Sequence, residues 1–327
     1  MTTIDISFVI PVYNCSEYIE RCLWSIIALN KYEYSFEIII VNDGSTDDSI
    51  YKVSSFIEKV GIKNKLRIIE TSHNGPGYAR NVGLANALGV YVWFVDADDE
   101  IITGNVKFLL EQAYAYGLDI LTFNIYLVYN DGRDAPWKEL NQDVLNGNGK
   151  MFVKNNWDYL GTPWKYIYRR YFLIDNQIKF PIEILHEDEV FSVNAFMLCE
   201  RMGISNMYCY RYYKENGKIM STMSAKRISS LFYVCEVLFD LYLRQSTCNN
   251  DSLSLPLLKR IVLMIQQSLM LYEKTNEVYL ATLHQIEVID KIKKELHSSK
   301  YLGVIQKTFG RNVICIFDKL EKKMLLC

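Results

Sequence analysis

Three carboxylates crowd the segment Asp96-Ala97-Asp98-Asp99, directly after the apolar run Val90-Tyr91-Val92-Trp93-Phe94-Val95. Packing acids together in a partly buried place is costly unless a proton or a cation neutralises them. Hard oxygen donors suit Mg²⁺ or Mn²⁺, and either ion would also bring in a phosphate-bearing substrate. The same acids would equally serve as a turn capping the next helix. Arg80 stands one turn beyond Asn74-Gly75-Pro76-Gly77, where the backbone can approach a ligand closely and a guanidinium supplies fixed positive charge. Further on, His186-Glu187-Asp188-Glu189 offers carboxylates for general-base work ahead of the helical run Val190, Phe191, Val193, Phe196 and Met197. Acids are also favoured there simply by the helix dipole.

These groups fall at the ends of predicted strands. Runs of β-branched and aromatic residues predict strands over Ile6 to Val12, Phe36 to Val41, Leu66 to Glu70 and Val90 to Val95. Between the first two, Ile19, Leu23, Ile26 and Ile27 recur at helical spacing, with Asn14 and Glu17 as a capping pair. Asp43-Gly44-Ser45-Thr46-Asp47 then supplies a turn and a cap before Ile50, Val53, Ile57 and Val60, and a short helix covers Ala79 to Leu88. Strands alternating with helices imply right-handed crossovers and a mainly parallel sheet, whose ligands bind beyond the carboxyl ends of the strands. Tyr13-Asn14, Asn42-Asp43 and Asp96 to Asp99 all fall at that edge. A helix over Asn105 to Tyr116 and a strand over Asp119 to Tyr129, turned by Asn130-Asp131-Gly132, follow. From about residue 225 strand signals nearly vanish and Leu231, Val234, Leu238 and Leu241 mark helices, so the expected division is 1–225 and 226–327.

The bulk properties narrow the function. A chain of 327 residues with 50% hydrophobic and 23% charged residues can bury a sizeable core. A net charge of -2 argues against nucleic acid as a partner, because phosphate-backbone binding needs a strongly basic face. Eight scattered cysteines without C-x-x-C spacing suggest buried thiols of a reducing compartment rather than a zinc site or disulfide framework. With no basic leader and no long apolar run, a cytoplasmic protein, peripheral to a membrane at most, is expected.

Taken in order, Phe8-Val9-Ile10-Pro11-Val12-Tyr13-Asn14, Val41 to Asp47, Asn74 to Gly83, Asp96 to Asp99 and Glu187-Asp188-Glu189-Val190-Phe191 resemble the family 2 glycosyltransferases. Those are inverting enzymes of the GT-A fold that use nucleotide-sugar donors; the likeness covers residues 6 to 222. The resemblance implies that Asp43 accepts the imide N–H of a uracil or thymine ring and that Pro11 and Tyr13 wall the nucleoside pocket. It implies that Asn74, Gly75 and Arg80 meet the base and phosphate-ribose region. Asp96, Ala97 and Asp98 form the D-x-D turn, with Asp98 on Mn²⁺ or Mg²⁺ and Asp96 toward ribose and metal, while Asp99 lies behind. Asp188 is then the base that deprotonates the acceptor hydroxyl, with Glu187 as the fallback and His186 near the metal or diphosphate. Trp164 and Lys165 resemble the acceptor-side segment, where Trp164 would stack on a sugar and Lys165 reach diphosphate or acceptor, a solvated basic patch beside a core Trp being the alternative. Lys218 stands where polysaccharide-synthesis members carry the serine of a Gly-Ser pair, a departure that leaves its phosphate contact open.

The implied reaction moves a sugar, from a UDP-sugar in the first instance, to a glycan or lipid-linked saccharide hydroxyl. A nucleotidyltransferase would need a Gly-rich, basic loop after the first strand, where Pro11-Val12-Tyr13-Asn14-Cys15 stands instead. A non-catalytic sugar-nucleotide binder on the same scaffold stays open. From Ile286 to Cys327, nine Lys or Arg and five Asp or Glu alternate with apolar residues, a pattern that suits an anionic membrane surface, a helical cap or a homodimer face.

Overall fold

Buried β-branched and aromatic residues build the first strands where their patterning places them. The computed structural model describes residues 3–31, 34–140, 144–158, 161–214, 224–246, 252–274, 281–310 and 313–325. In it β1 (Ile6–Val12), α1 (Ile19–Ile27), β2 (Phe36–Asp43), α2 (Ser49–Val60), β3 (Leu66–Thr71), α3 (Pro76–Asn86) and β4 (Tyr91–Phe94) alternate along the chain. Helix α3 begins three residues ahead of the expected Ala79, because Pro76 sets φ for a first helical position that needs no N–H. The chain continues through β5 (Glu100–Ile101), α4 (Val106–Ala115), β6 (Ile120–Val128), β7 (Asp134–Trp137), β8 (Val144–Gly147), α5 (Gly149–Asn155), β9 (Tyr166–Arg169), α6 (Arg170–Asp175), α7 (Glu187–Leu198) and β10 (Met202–Tyr213).

The strands lie in the order β3-β2-β1-β4-β9-β6-β10-β5, with β7 added on β6 and β8 on β10. The first four are parallel to one another, as expected. Beyond them the sheet is mixed rather than mainly parallel: β9 runs antiparallel between β4 and β6, and β5, β7 and β8 also pair antiparallel. Tyr166-Ile167-Tyr168 supplies that inserted strand from a region whose short, aromatic-rich pattern gave no direction.

The order reverses at β1, with β2 on one side and β4 on the other, so the ligand crevice of an open α/β sheet falls between the carboxyl ends of β1 and β4. Pro11 explains why the strands part there. Pairing of β1 with β2 runs to Val12–Asn42, but pairing with β4 stops at Val9–Phe94, and the Val95 N–H closes it by donating to the Val9 carbonyl at 3.0 Å. Backbone groups alternate sides along a parallel strand, so Pro11 lacks its donor on the β4 side, where the ladder has ended. Helix α3 meets β1 closely: a Cβ on Gly83 would come within 2.2 Å of Val9 Cγ1.

The chain divides into two compact units. The first comprises 1–149, 162–183 and 191–217; the second comprises 150–161, 184–190 and 218–327. The second contains α8 (Ala225–Ser246), α9 (Ser254–Lys274), α10 (Leu283–Ser298), α11 (Leu302–Phe309) and α12 (Val313–Leu325). Leu231, Val234 and Leu238 of α8 are buried, as are Leu257, Leu258 and Ile261 of α9, and these two helices pack together. Among the described residues no helix is long and apolar enough to cross a membrane.

Candidate active site

The acidic turn caps no helix. Asp96 to Asp99 lead from β4 into β5, and α4 starts only at Val106. Carboxylate oxygens of Asp96, Asp98 and Asp99 lie within 4.8 Å of one another. Their environments differ sharply. Asp99 is fully buried; its oxygens accept the Tyr210 hydroxyl at 2.8 Å and the Tyr213 N–H at 2.9 Å. Burial, and then the charges of Asp98 and Asp96, push its pKa well above the ordinary carboxylate range. The Tyr210 hydroxyl also accepts the Asp96 N–H at 3.1 Å, so one tyrosine fixes both ends of the turn. Asp96 is half-buried, and its Oδ1 accepts from the Arg80 guanidinium at 2.9 Å. Asp98 is exposed, while its backbone carbonyl accepts from Arg21. An all-oxygen set with one exposed and one half-buried carboxylate fits a hard divalent cation, which Asp98 and Asp96 could hold, while Asp99 stays tied to the two tyrosines.

Arg80 is buried, with its guanidinium carbon 5.5 Å from the centre of the Phe180 ring, so it is no solvated surface residue. The next residue, Asn81, exchanges two hydrogen bonds with the Phe180 backbone, at 2.8 and 2.9 Å, which pins the loop beneath the guanidinium.

Asp43, buried at the end of β2, does not cap α2, whose N-cap is Asp48. Instead Oδ1 accepts the Asn74 N–H and Oδ2 the Gly75 N–H, each at 2.8 Å, stapling the glycine-rich loop to β2. His73, which the sequence reading passed over, places Nδ1 3.0 Å from Asp43 Oδ2 and stacks its ring on Tyr13 with centroids 4.1 Å apart. A heterocycle immediately ahead of a glycine loop was the signal to follow. Asn14 is also corrected: it does not cap α1, but accepts the Thr46 N–H at 2.8 Å across the crevice edge. Asp47 accepts N–H donors of Ser49 and Ser16, and against the upward push of desolvation these bonds, with the Ser49 hydroxyl, hold its carboxyl down to about 2.

Trp164 is not an open sugar platform. It is 3% exposed, stacked on Tyr210 at 4.8 Å and Tyr212 at 5.1 Å, with Trp137 at 5.8 Å. Lys165 is equally buried, and its ammonium rests 4.1 Å from the Trp137 ring centre, so neither a solvated patch nor an open phosphate contact is formed. A cavity of about 500 Å³ opens beside Arg21, lined also by Tyr129, Asp134, Arg211 and Tyr213.

The acids of α7 belong with the second unit, since segment 184–190 groups there. Glu189 is buried in a two-pronged ion pair with Arg260, its Oε2 accepting from Nε at 3.0 Å. Glu187 is buried, whereas Asp188 is half-buried. His186 accepts from Arg227 Nε at 3.2 Å, and its pKa is lowered, by burial first and then by Arg227 and Arg260 against the opposing pull of Asp188. The Nε2 lone pair of His186 is thus already engaged by an arginine. Lys218 lies outside the described residues.

Comparison with known proteins agrees with this construction. The family described as "Glycosyl transferase family 2" has a model that matches residues 7–178. Glycosyltransferase YibD of Escherichia coli strain K12 is 29% identical over 226 residues, which is 67% of this chain and 64% of YibD. Poly(ribitol-phosphate) beta-N-acetylglucosaminyltransferase TarS of Staphylococcus aureus strain Mu50 is 32% identical over 221 residues, which is 66% of this chain and 37% of TarS. The chain thus spans less than two-thirds of the length of either relative. The crystal structure of S. aureus TarS 1-349 in complex with UDP-GlcNAc shares the fold at TM-score 0.69 and 20% identity, covering 98% of this chain and 90% of that one. Mannosyltransferase PcManGT from Pyrobaculum calidifontis, in complex with GDP-Man and Mn²⁺, does so at TM-score 0.52 and 14% identity, covering 98% and 86%. With the family model spanning more than half of its 327 residues, this chain belongs to glycosyltransferase family 2.

Proposed function

We propose that the protein transfers a sugar, with inversion, from a UDP-type donor to a hydroxyl of a glycan or lipid-linked saccharide. The observation that carries this reading is the convergence of Asp43, Arg80 and Asp96 with Asp98 at the carboxyl ends of β2 and β4. The complexes of TarS with UDP-GlcNAc and of PcManGT with GDP-Man and Mn²⁺ support a nucleotide-sugar donor and a divalent cation.

In this reading Tyr13 and Asp43 receive the base, and Arg80 holds Asp96 in place toward the ribose. Asp98 and Asp96 hold Mn²⁺ or Mg²⁺, which when bound would offset charge on the departing diphosphate. Asp188 takes the acceptor hydroxyl proton while the acceptor oxygen bonds to the anomeric carbon and the bond from that carbon to the phosphate oxygen breaks, releasing nucleoside diphosphate. Among the three α7 acids Asp188 suits the role best, because Glu189 is committed to Arg260 and Glu187 is buried. The protein would work at the inner face of the cell membrane, where exposed Lys300, Lys307, Lys319, Lys322 and Lys323 meet anionic lipid.

The test is a panel of uridine, thymidine and guanosine diphosphate sugars, with and without Mn²⁺. Bound ligand raises the melting temperature by mass action, so a UDP-sugar with Mn²⁺ should raise it most. No shift with any nucleotide, and no nucleoside diphosphate released in the presence of glycan acceptors, would defeat the reading. For the membrane component, phosphatidylserine vesicles should pellet the protein at low salt and phosphatidylcholine vesicles should not; equal pelleting removes that component.

A further inference from the structure

The contacts of His73 match, group for group, those that a pyrimidine would need at this site. A pyrimidine offers a flat ring and an imide N–H; the site offers the face of Tyr13 and the carboxylate of Asp43. His73 already lies against both. Its ring lies 4.1 Å from that of Tyr13 at an interplanar angle of 23°. Its Nδ1 is 3.0 Å from Asp43 Oδ2 and 3.1 Å from the Asp43 carbonyl oxygen. Both neighbours of Nδ1 are acceptors, so Nδ1 carries the proton.

Crowding at the carboxylate makes the overlap exclusive. A carboxylate oxygen has two favourable acceptor directions. Asp43 Oδ2 spends one on the Gly75 N–H at 2.8 Å, and the His73 Nδ1, whose hydrogen bond goes to the Asp43 carbonyl at 3.1 Å, stands 3.0 Å from the same oxygen. Oδ1 accepts the Asn74 N–H at 2.8 Å, with the Thr71 hydroxyl at 3.5 Å. The two amide bonds tie the loop itself, so His73 is the group that can leave. Its backbone is seated, for a Cβ on Gly44 would lie 3.2 Å from the His73 nitrogen. Its side chain is 56% exposed, and rotation about two bonds would carry the ring into solvent.

We infer that the His73 imidazole occupies the nucleobase subsite in the ligand-free protein, and that donor binding exchanges it for the base. The inference rests on the proposed nucleotide-sugar site and deepens it. His73 acts through Tyr13 and Asp43, as a positioning residue that sets donor affinity; it takes no part in bond making.

Titration calorimetry of the intact chain with UDP tests this. His73→Ala should bind UDP roughly threefold to tenfold more tightly than the wild type, the change expected when one competing stacked pair is removed. His73→Phe, which keeps a ring but has no N–H to offer Asp43, should fall between the two, and Tyr13→Ala should bind more weakly. In the free wild type the His73 ring protons should show an upfield ring-current shift by NMR, relieved as UDP saturates the site. Equal or weaker UDP binding by His73→Ala, or ring protons still shifted at saturation, overturns the inference alone. Failure of wild type and variants alike to bind UDP, TDP or GDP defeats the nucleotide site itself, and the inference with it.

Discussion

Arg80 of α3 donates to Asp96 Oδ1 at 2.9 Å, and this one bond joins the helix behind the glycine-rich loop to the acidic turn after β4. Two segments that the proposed function sets against different parts of a nucleotide are thereby held in one frame. Because the guanidinium is buried and the carboxylate half-buried, the pair is more than a surface ornament. Arg80→Ala should cost about 1–3 kcal/mol in urea unfolding, since it strands a partly buried carboxylate, and should weaken donor binding as well. Arg80→Lys should recover part of the stability and less of the binding, because an ammonium lacks the planar fork. Wild-type donor affinity in Arg80→Ala would disprove the coupling.

Asp98 and Asp188 should separate binding from chemistry. Asp98→Asn is expected to lose the Mn²⁺-dependent part of donor affinity, read by calorimetry with and without the ion. Asp188→Asn should bind donor normally and lose turnover by about 10²–10⁴-fold, the usual worth of a general base. Near-normal turnover in Asp188→Asn would reassign the base, with Glu187 next in line.

Gly83 sets how closely α3 approaches β1. A methyl there would overlap Val9, which has no room to retreat within the sheet core. Gly83→Ala should therefore destabilise by about 1–3 kcal/mol, despite the better helix propensity of Ala. Thermal unfolding monitored by circular dichroism reads this directly, and Gly83→Ala combined with Val9→Ala should restore part of the loss.

Asp47 gives a pH signature. Its carboxyl lies below the unfolded value of about 3.9, near 2 in the folded chain, so its stabilising contribution is present above pH 4 and fades as pH falls toward 2. The melting-temperature gap between wild type and Asp47→Ala should accordingly be constant at neutral pH and close progressively below pH 4. Its exposure keeps the gap small. A gap that widens on acidification would contradict the assigned bonds.

Sequence patterning revealed β1 to β4 and the edge on which Asp43 and Asp96 stand, because period-2 burial and turn residues are local signals. The partners that decide what each residue does were less visible, since they lie far along the chain. Tyr210 reaches Asp99 across 111 positions, and Arg260 reaches Glu189 across 71. The family resemblance made Trp164 a sugar platform, with a core Trp as the alternative; the rings that enclose it, Tyr210 and Tyr212, arrive with β10. Asn14 looked like a cap for its own helix and serves the turn after β2 instead. The place of Asp43 at the end of β2 was legible, but that its carboxylate accepts the Asn74 and Gly75 N–H groups, with His73 Nδ1 3.0 Å away, required the structure.

Pro11 gives the crevice a chemical origin. Zipping β1 and β4 further would need a donor at the next position facing β4, and an imino acid has none. The opening between Tyr13 and Asp96 is thus written into the covalent chain as a missing hydrogen atom. Replacing Pro11 with valine would restore that atom and permit one more rung of sheet, narrowing the very gap in which a nucleotide would have to fit.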